Sequence, residues 1–247
     1  MDLPSDEDGL IAFVVEKFTE ERDKFQTLLN TEYATSKYPD KQIVENEKDA
    51  QAVVINAGMA NACTGKQGFD YCSQTADATA EALGIPANSV LVASTGVIGM
   101  QLPIDRICNG VKILSGQLAQ TREAGKLAAE AIMTTDTVSK EVAVTFEIDG
   151  KEVTVGGMCK GSGMIHPNMA TMLVFITSDV NISRDMLQKA LSSDVDSTFN
   201  MMSVDGDTST NDMVTVLANG MAGNEEITSD GEDFNIFMKA LNTITVH

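Results

Sequence analysis

Tryptophan is absent from the 247 residues, only two histidines (His166 and His247) occur, and acidic residues outnumber basic ones by 36 to 17. Each shortage excludes something. A formal net charge of −19 at pH 7 repels a phosphate backbone and an anionic lipid surface, so nucleic-acid and membrane partners are not expected. No apolar run approaches the ~20 residues needed to cross a bilayer, and the opening MDLPSDEDG has neither the basic nor the apolar region of a signal peptide. A cytoplasmic protein is expected. The four cysteines, Cys63, Cys72, Cys108 and Cys159, form no CxxC pair and no short disulfide framework, and are expected to be reduced and mostly buried. Neither histidine is spaced with a cysteine or carboxylate as zinc ligands require, so no metal site is expected.

Hydrophobic content of 43% suffices for one large or two small cores. The apolar positions Leu10, Phe13, Val14, Phe18, Phe25, Leu28 and Leu29 predict an amphipathic helix over residues 9–31. QAVVIN (51–56) predicts a strand that ends in the small-residue loop AGMANACTG, followed by a helix at 67–83 stopped by Gly84 and Pro86. SVLVAS (89–94) predicts a buried strand, TGVIG a turn, and 103–133 two helices broken near Asn109-Gly110. From 141 the apolar period changes to two, with Asp149-Gly150 between EVAVTFEI and KEVTVGG as a hairpin signal. A glycine-rich loop, the strand TMLVFITSD, a helix from Ser183 to about Thr198, the loop SVDGDTSTND, the strand MVTVLANG and a helix from about Ser229 complete a mixed α/β pattern. The final apolar period runs to His247 without a capping glycine and reads as a cut.

Most motif-like fragments fail on spacing. GKQG (65–68) lacks the upstream glycine and the Ser/Thr of a phosphate loop, and VDGDTSTND puts Met201 where a calcium loop needs an acid. GSG (161–163) lacks the third glycine of a dinucleotide fingerprint. The segment KGSGMIHPNMATMLVFITSD is different, because a glycine-rich loop enters an apolar strand at Thr171. On its own, Thr171 is either an ordinary strand threonine or an exposed hydroxyl at a strand entrance.

KGSGMIHPNMATML, together with NAGMANACTG (56–65), STGVIG (94–99), AIMTTDT (131–137) and SVDGDTSTNDMVTVLANG (203–220), resembles the ornithine acetyltransferase (glutamate N-acetyltransferase) family in matching order. The resemblance implies an αββα-layered fold of the self-cleaving aminopeptidase type and autocatalytic cleavage between Ala170 and Thr171. The division is then an N-terminal segment 1–170 and the start of a second chain, 171–247. It further implies that Thr171 carries acetyl from N-acetylornithine to glutamate, with Thr95 and Gly96 as the oxyanion-hole pair and Thr134 and Lys160 as substrate contacts. Lys160 alone also reads as a solvated loop charge, Thr134 as a helix-end hydroxyl and Thr95-Gly96 as a plain strand-end turn.

No cofactor is implied, acetyl-CoA being a possible alternative donor, and the complete protein is expected to be an α2β2 heterotetramer. Cys159, adjacent to Lys160, has no histidine partner and is expected to serve packing. The sequence departs from the family in residues 1–50, in NAGMAN where NSGNAN is usual, and in stopping before a later DGEGATK-like strand and an Asn-containing loop. The alternatives are an acyl-amino-acid hydrolase or aminopeptidase on the same scaffold, and a catalytically silent fragment.

Overall fold

The computed structural model describes residues 11–14, 26–29, 50–163, 172–206 and 212–247. The described chain forms two compact units, one of residues 11–14 and 50–139 and one of residues 26–29 and 140–247. Each unit is a sheet carrying helices, so the mixed α/β class expected from the sequence is borne out.

In the first unit the strands β1 (Ile11–Val14), β3 (Ala52–Met59) and β4 (Val90–Val97) lie in the order β1-β3-β4. β3 and β4 run parallel, with Gly58 opposite Gly96, and are joined by helix α1 (Gly65–Leu83), which is the crossover that parallel pairing requires. Helices α2 (Ile104–Ser115) and α3 (Arg122–Ala131) follow. Ala52, Val54 and Val90 pack against Ala80 of α1 and Val111 of α2. By the alternation of a strand, Leu91, Ala93 and Thr95 face the other way, and all three are buried.

The second unit is a five-stranded sheet in the order β2-β8-β7-β6-β5, with β2 (Gln26–Leu29), β5 (Lys140–Ile148), β6 (Lys151–Lys160), β7 (Leu173–Ser178) and β8 (Met213–Ala218). Asp149 and Gly150 join β5 to β6 with φ of 49° and 67°, the consecutive left-handed residues of a tight hairpin turn, as the Asp-Gly pair predicts. β7 and β8 are parallel and connected through helix α4 (Arg184–Val195), whose first turn is capped by Ser183 accepting from the Met186 N–H. Helix α5 (Glu232–Thr245) packs beside α4. Val153, Val155, Val174, Ile176, Val214 and Val216 from the sheet meet Leu187, Leu191, Phe237 and Leu241 from these helices in one core.

Four expectations are corrected. Residues 11–14 and 26–29 are strands, not parts of a helix over 9–31; pairing with β3 and β8 gives their backbones partners that outweigh a helical spacing of apolar residues. The break between α2 and α3 falls at 116–121 rather than at Asn109-Gly110, which lie inside α2. TGVIG is not wholly a turn, since Thr95, Gly96 and Val97 complete β4. None of the cysteines is in a disulfide and none is fully buried: Cys63 is exposed, and Cys72, Cys108 and Cys159 are half-buried.

Candidate active site

In the first unit, two of the sequence motifs are laced together at the carboxyl ends of parallel strands, where open α/β sheets present their loops. The Ala60 N–H donates to Val97 O at 2.9 Å and the Gly99 N–H to Ala62 O at 2.9 Å, so the segment after β4 lies along the segment after β3. Side chains reinforce the pairing. Ser94 Oγ accepts from the Asn61 N–H at 2.8 Å, Asn61 Nδ2 donates to Gly68 O at 2.8 Å, and Gln101 Nε2 donates to Thr64 O at 3.0 Å. Asn61 thereby ties the loop both to β4 and to the start of α1.

Thr95 and Gly96 sit within this lacing. The Thr95 side chain is completely buried, and its Oγ1 has no hydrogen-bond partner among the described residues. A buried hydroxyl without a partner costs about 1–3 kcal/mol. Gly96 adopts φ 126°, and a Cβ there would lie 2.2 Å from the Gly58 carbonyl carbon and 2.3 Å from its oxygen. Backbone fills the space that a side chain would need. Gly96→Ala is therefore expected to lose about 3 kcal/mol or more, from left-handed strain (about 1–3 kcal/mol) and overpacking (about 1–3 kcal/mol) together. A denaturant midpoint within error of the parent protein would show that β3 and β4 can separate to admit a methyl group.

Thr134, also in the first unit, lies just beyond α3 and is exposed, with its backbone N–H directed at Asp136 Oδ2 at 3.5 Å. Its place past a helix end agrees with the sequence reading of a helix-end hydroxyl. Burial raises the pKa of the Cys72 thiol in α1, and burial together with the nearby Asp105 carboxylate raises that of Cys108 in α2. Among the described residues no group of three His, Cys, Asp or Glu side chains is arranged to hold a metal ion.

In the second unit, Lys160 is the last residue of β6, opposite Leu173 of β7, and its side chain is 2% exposed. The reading of a solvated loop charge is thereby overturned: the strand runs further than its alternating segment suggests, because Gly156 and Gly157 let β6 pack closely on β5 and β7. Next to it, Lys140 Nζ donates to Gly161 O at 3.2 Å. Cys159 packs against the main core, as expected. Ala170 and Thr171, with the rest of 164–171, lie outside the described residues, as do 207–211.

The nearest described neighbour of Thr171 is Met172, which is gripped on both sides of its backbone. Asp212 Oδ1 accepts from the Met172 N–H at 3.0 Å, and the Met213 N–H donates to Met172 O at 3.0 Å. Sequence reasoning missed Asp212. Its only local signal is an Asp placed directly before an apolar β-run, in the motif that ends VDGDTSTND.

Residues 12–247 match the ArgJ family, so the match begins at residue 12 and the departure expected over residues 1–50 is corrected. The chain belongs to that family. This ArgJ chain is 48% identical over 206 residues to the arginine biosynthesis bifunctional protein ArgJ of Oceanobacillus iheyensis, covering 83% of the chain and 50% of that protein. It is 52% identical over 199 residues to the protein of the same name from Symbiobacterium thermophilum, with 81% and 49% covered. Among solved structures, it is similar to ornithine acetyltransferase complexed with ornithine from Mycobacterium tuberculosis, at 34% identity and a TM-score of 0.46, with 64% of this chain and 77% of that one covered. The chain spans about half the length of the curated relatives it matches. The family resemblance read from the five motifs is thus borne out, and no helix among the described residues is long and apolar enough to cross a membrane.

Proposed function

We propose that this ArgJ chain carries the nucleophile and the oxyanion site of a glutamate N-acetyltransferase, a protein of arginine biosynthesis that moves acetyl from N-acetylornithine to glutamate. Thr171 Oγ attacks the Ala170 carbonyl, the peptide C–N bond breaks as the ester forms, and water hydrolyses the ester to leave a carboxylate on Ala170. Thr171 then bears a free α-amine, whose ordinary pKa of about 7.7–8.0 suits a general base near neutrality. Nucleophile and base share one residue.

In the transfer reaction the Thr171 hydroxyl takes acetyl from N-acetylornithine, releasing ornithine, and the glutamate amine then takes acetyl from the Thr171 ester. Each half-reaction passes through a tetrahedral oxyanion. The observation that carries the reading is the buried Thr95 hydroxyl, which has no hydrogen-bond partner among the described residues and lies next to the Gly96 N–H in a strand end where a Cβ would meet the Gly58 backbone. A donor left unsatisfied in the resting protein is ready for charge that develops only during reaction. No cofactor takes part in this cycle, with acetyl-CoA as a possible second donor to glutamate. In the complete protein the two products of cleavage would assemble as an α2β2 heterotetramer in the cytoplasm.

Incubation with N-acetylornithine and glutamate tests the proposal. N-acetylglutamate and ornithine should appear together; acetate without N-acetylglutamate would point to a hydrolase on the same scaffold, and no product at all would overturn the assignment.

Lys160 and Thr134 are the proposed substrate contacts. A substrate carboxylate offers an ammonium both opposite charge and acceptor atoms for a charge-assisted hydrogen bond. Hydrogen bonds to charged groups contribute about 1.5–3 kcal/mol, so Lys160→Met is expected to lower kcat/KM for N-acetylornithine by about 10- to 100-fold. Steady-state kinetics on the folded variant decide the matter, and constants within about twofold of the parent would remove Lys160 from the site.

A further inference from the structure

We infer that Asp212 is a positioning residue, which fixes the backbone at the entrance of β7 and thereby aims Thr171; the inference rests on Thr171 being the nucleophile. The amide N–H that Asp212 Oδ1 holds at 3.0 Å is the N–H of Met172. That N–H belongs to the peptide group whose carbonyl is Thr171's own, and a peptide group is planar. Holding it therefore sets the direction in which the chain leaves the Thr171 Cα.

The grip is double. The next residue along, Met213, donates its N–H to Met172 O at 3.0 Å, and from there the parallel register runs Leu173 opposite Met213 and Val174 opposite Val214. A regular parallel ladder would leave the amide just before β7 to find a partner beyond the end of β8. Asp212 supplies it with a short side chain placed one residue before β8 begins, much as an Asx side chain satisfies the first free N–H groups of a helix. Met172 is 3% exposed, so without this acceptor its N–H would be shut off from water and unpaired. Val174 and Ile176 beyond it are locked in the main core. The residue at which chemistry is proposed is thus covalently attached to Met172, whose N–H and C=O are held by two consecutive residues, Asp212 just before β8 and Met213 at its start.

A misplacement of about 1 Å at a reacting group can cost about 100-fold in rate. Asp212→Ala is therefore expected to slow self-cleavage at least about 10-fold, whereas Asp212→Asn, which keeps an oxygen acceptor at the same reach, should cleave within about threefold of the parent. The purified chain is followed by intact mass over time, in parallel with amide hydrogen exchange at Met172. Protection of that amide should fall in the Ala variant and persist in the Asn variant, while Val174 and Ile176 stay protected in both. Cleavage at the parental rate in a folded Ala variant would overturn the inference. So would an Asn variant as slow as Ala, which would assign the effect to the charge instead of the hydrogen bond. If the Ala variant does not fold, the Asn variant still decides by the same two readouts. If the parent chain itself never cleaves, the Thr171 reading fails, and Met172 exchange separately reports whether Asp212 holds the strand entrance.

Discussion

Thr171→Ala is expected to give one polypeptide and no acetyl-enzyme, where the parent chain gives two polypeptides and a labile acetyl adduct. The variant loses the only oxygen that attacks in both halves of the proposed chemistry, so its effect is complete loss instead of a graded one. Alanine removes a hydroxyl and a methyl group and leaves the backbone unchanged, which limits any effect on the strand that follows. Intact-mass spectra of parent and variant, taken before and after exposure to N-acetylornithine, report cleavage and acylation together. Thr171→Ser extends the test, since it retains a hydroxyl and should retain cleavage. A Thr171→Ala protein that still splits after residue 170 would rule out Thr171 as the cleaving group.

The second large effect is expected at Thr95, and it has an unusual sign in stability. Valine has the shape of threonine with a methyl group in place of the hydroxyl. In most buried settings that exchange leaves a former hydrogen-bond partner stranded, but among the described residues Thr95 Oγ1 has no partner to strand. Thr95→Val should therefore fold as well as the parent or better, gaining up to about 1 kcal/mol from removal of an unsatisfied buried hydroxyl. Turnover should fall by about 100- to 1000-fold, the usual cost of losing one oxyanion donor, mostly in kcat. Thermal unfolding and steady-state kinetics on the same sample make the comparison. A variant both more stable and fully active would show that the hydroxyl is a packing defect with no chemical task.

These two residues also show where sequence reasoning succeeded and where it stopped. Thr95 and Gly96 were legible as a motif, yet their local sequence read equally well as a plain turn. The structure puts both inside β4, because the run of small residues Ala93, Ser94, Thr95 and Gly96 lets the strand continue beside Ala57 and Gly58. No periodicity signals that, since the pairing partner lies 38 residues away by register. Residues 11–14 and 26–29 failed for a related reason: a short apolar run does not say whether its backbone will bond to itself or to a distant strand. The hairpin at Asp149-Gly150 was read correctly because its conformation is set by two adjacent residues. Lys160 was identified as a residue of interest, but its place opposite Leu173 of β7, 13 residues later, is set by strand pairing that its local sequence does not signal. Asp212 was invisible to sequence because its task is defined by a backbone group 40 residues earlier.

The exposure of Cys63 gives the first unit a built-in attachment point for reporters. Cys72 and Cys108 are held back from thiolate chemistry by burial, whereas Cys63 stands exposed between Ala62, whose carbonyl receives the Gly99 N–H, and Thr64, whose carbonyl receives Gln101 Nε2. A maleimide dye favours the accessible thiol over hindered ones, so limited labelling places a fluorophore directly on the seam between the loops that follow β3 and β4. The brightness and anisotropy of such a dye would register any loosening of the seam that holds Thr95 and Gly96, without introducing a foreign residue into the strand itself.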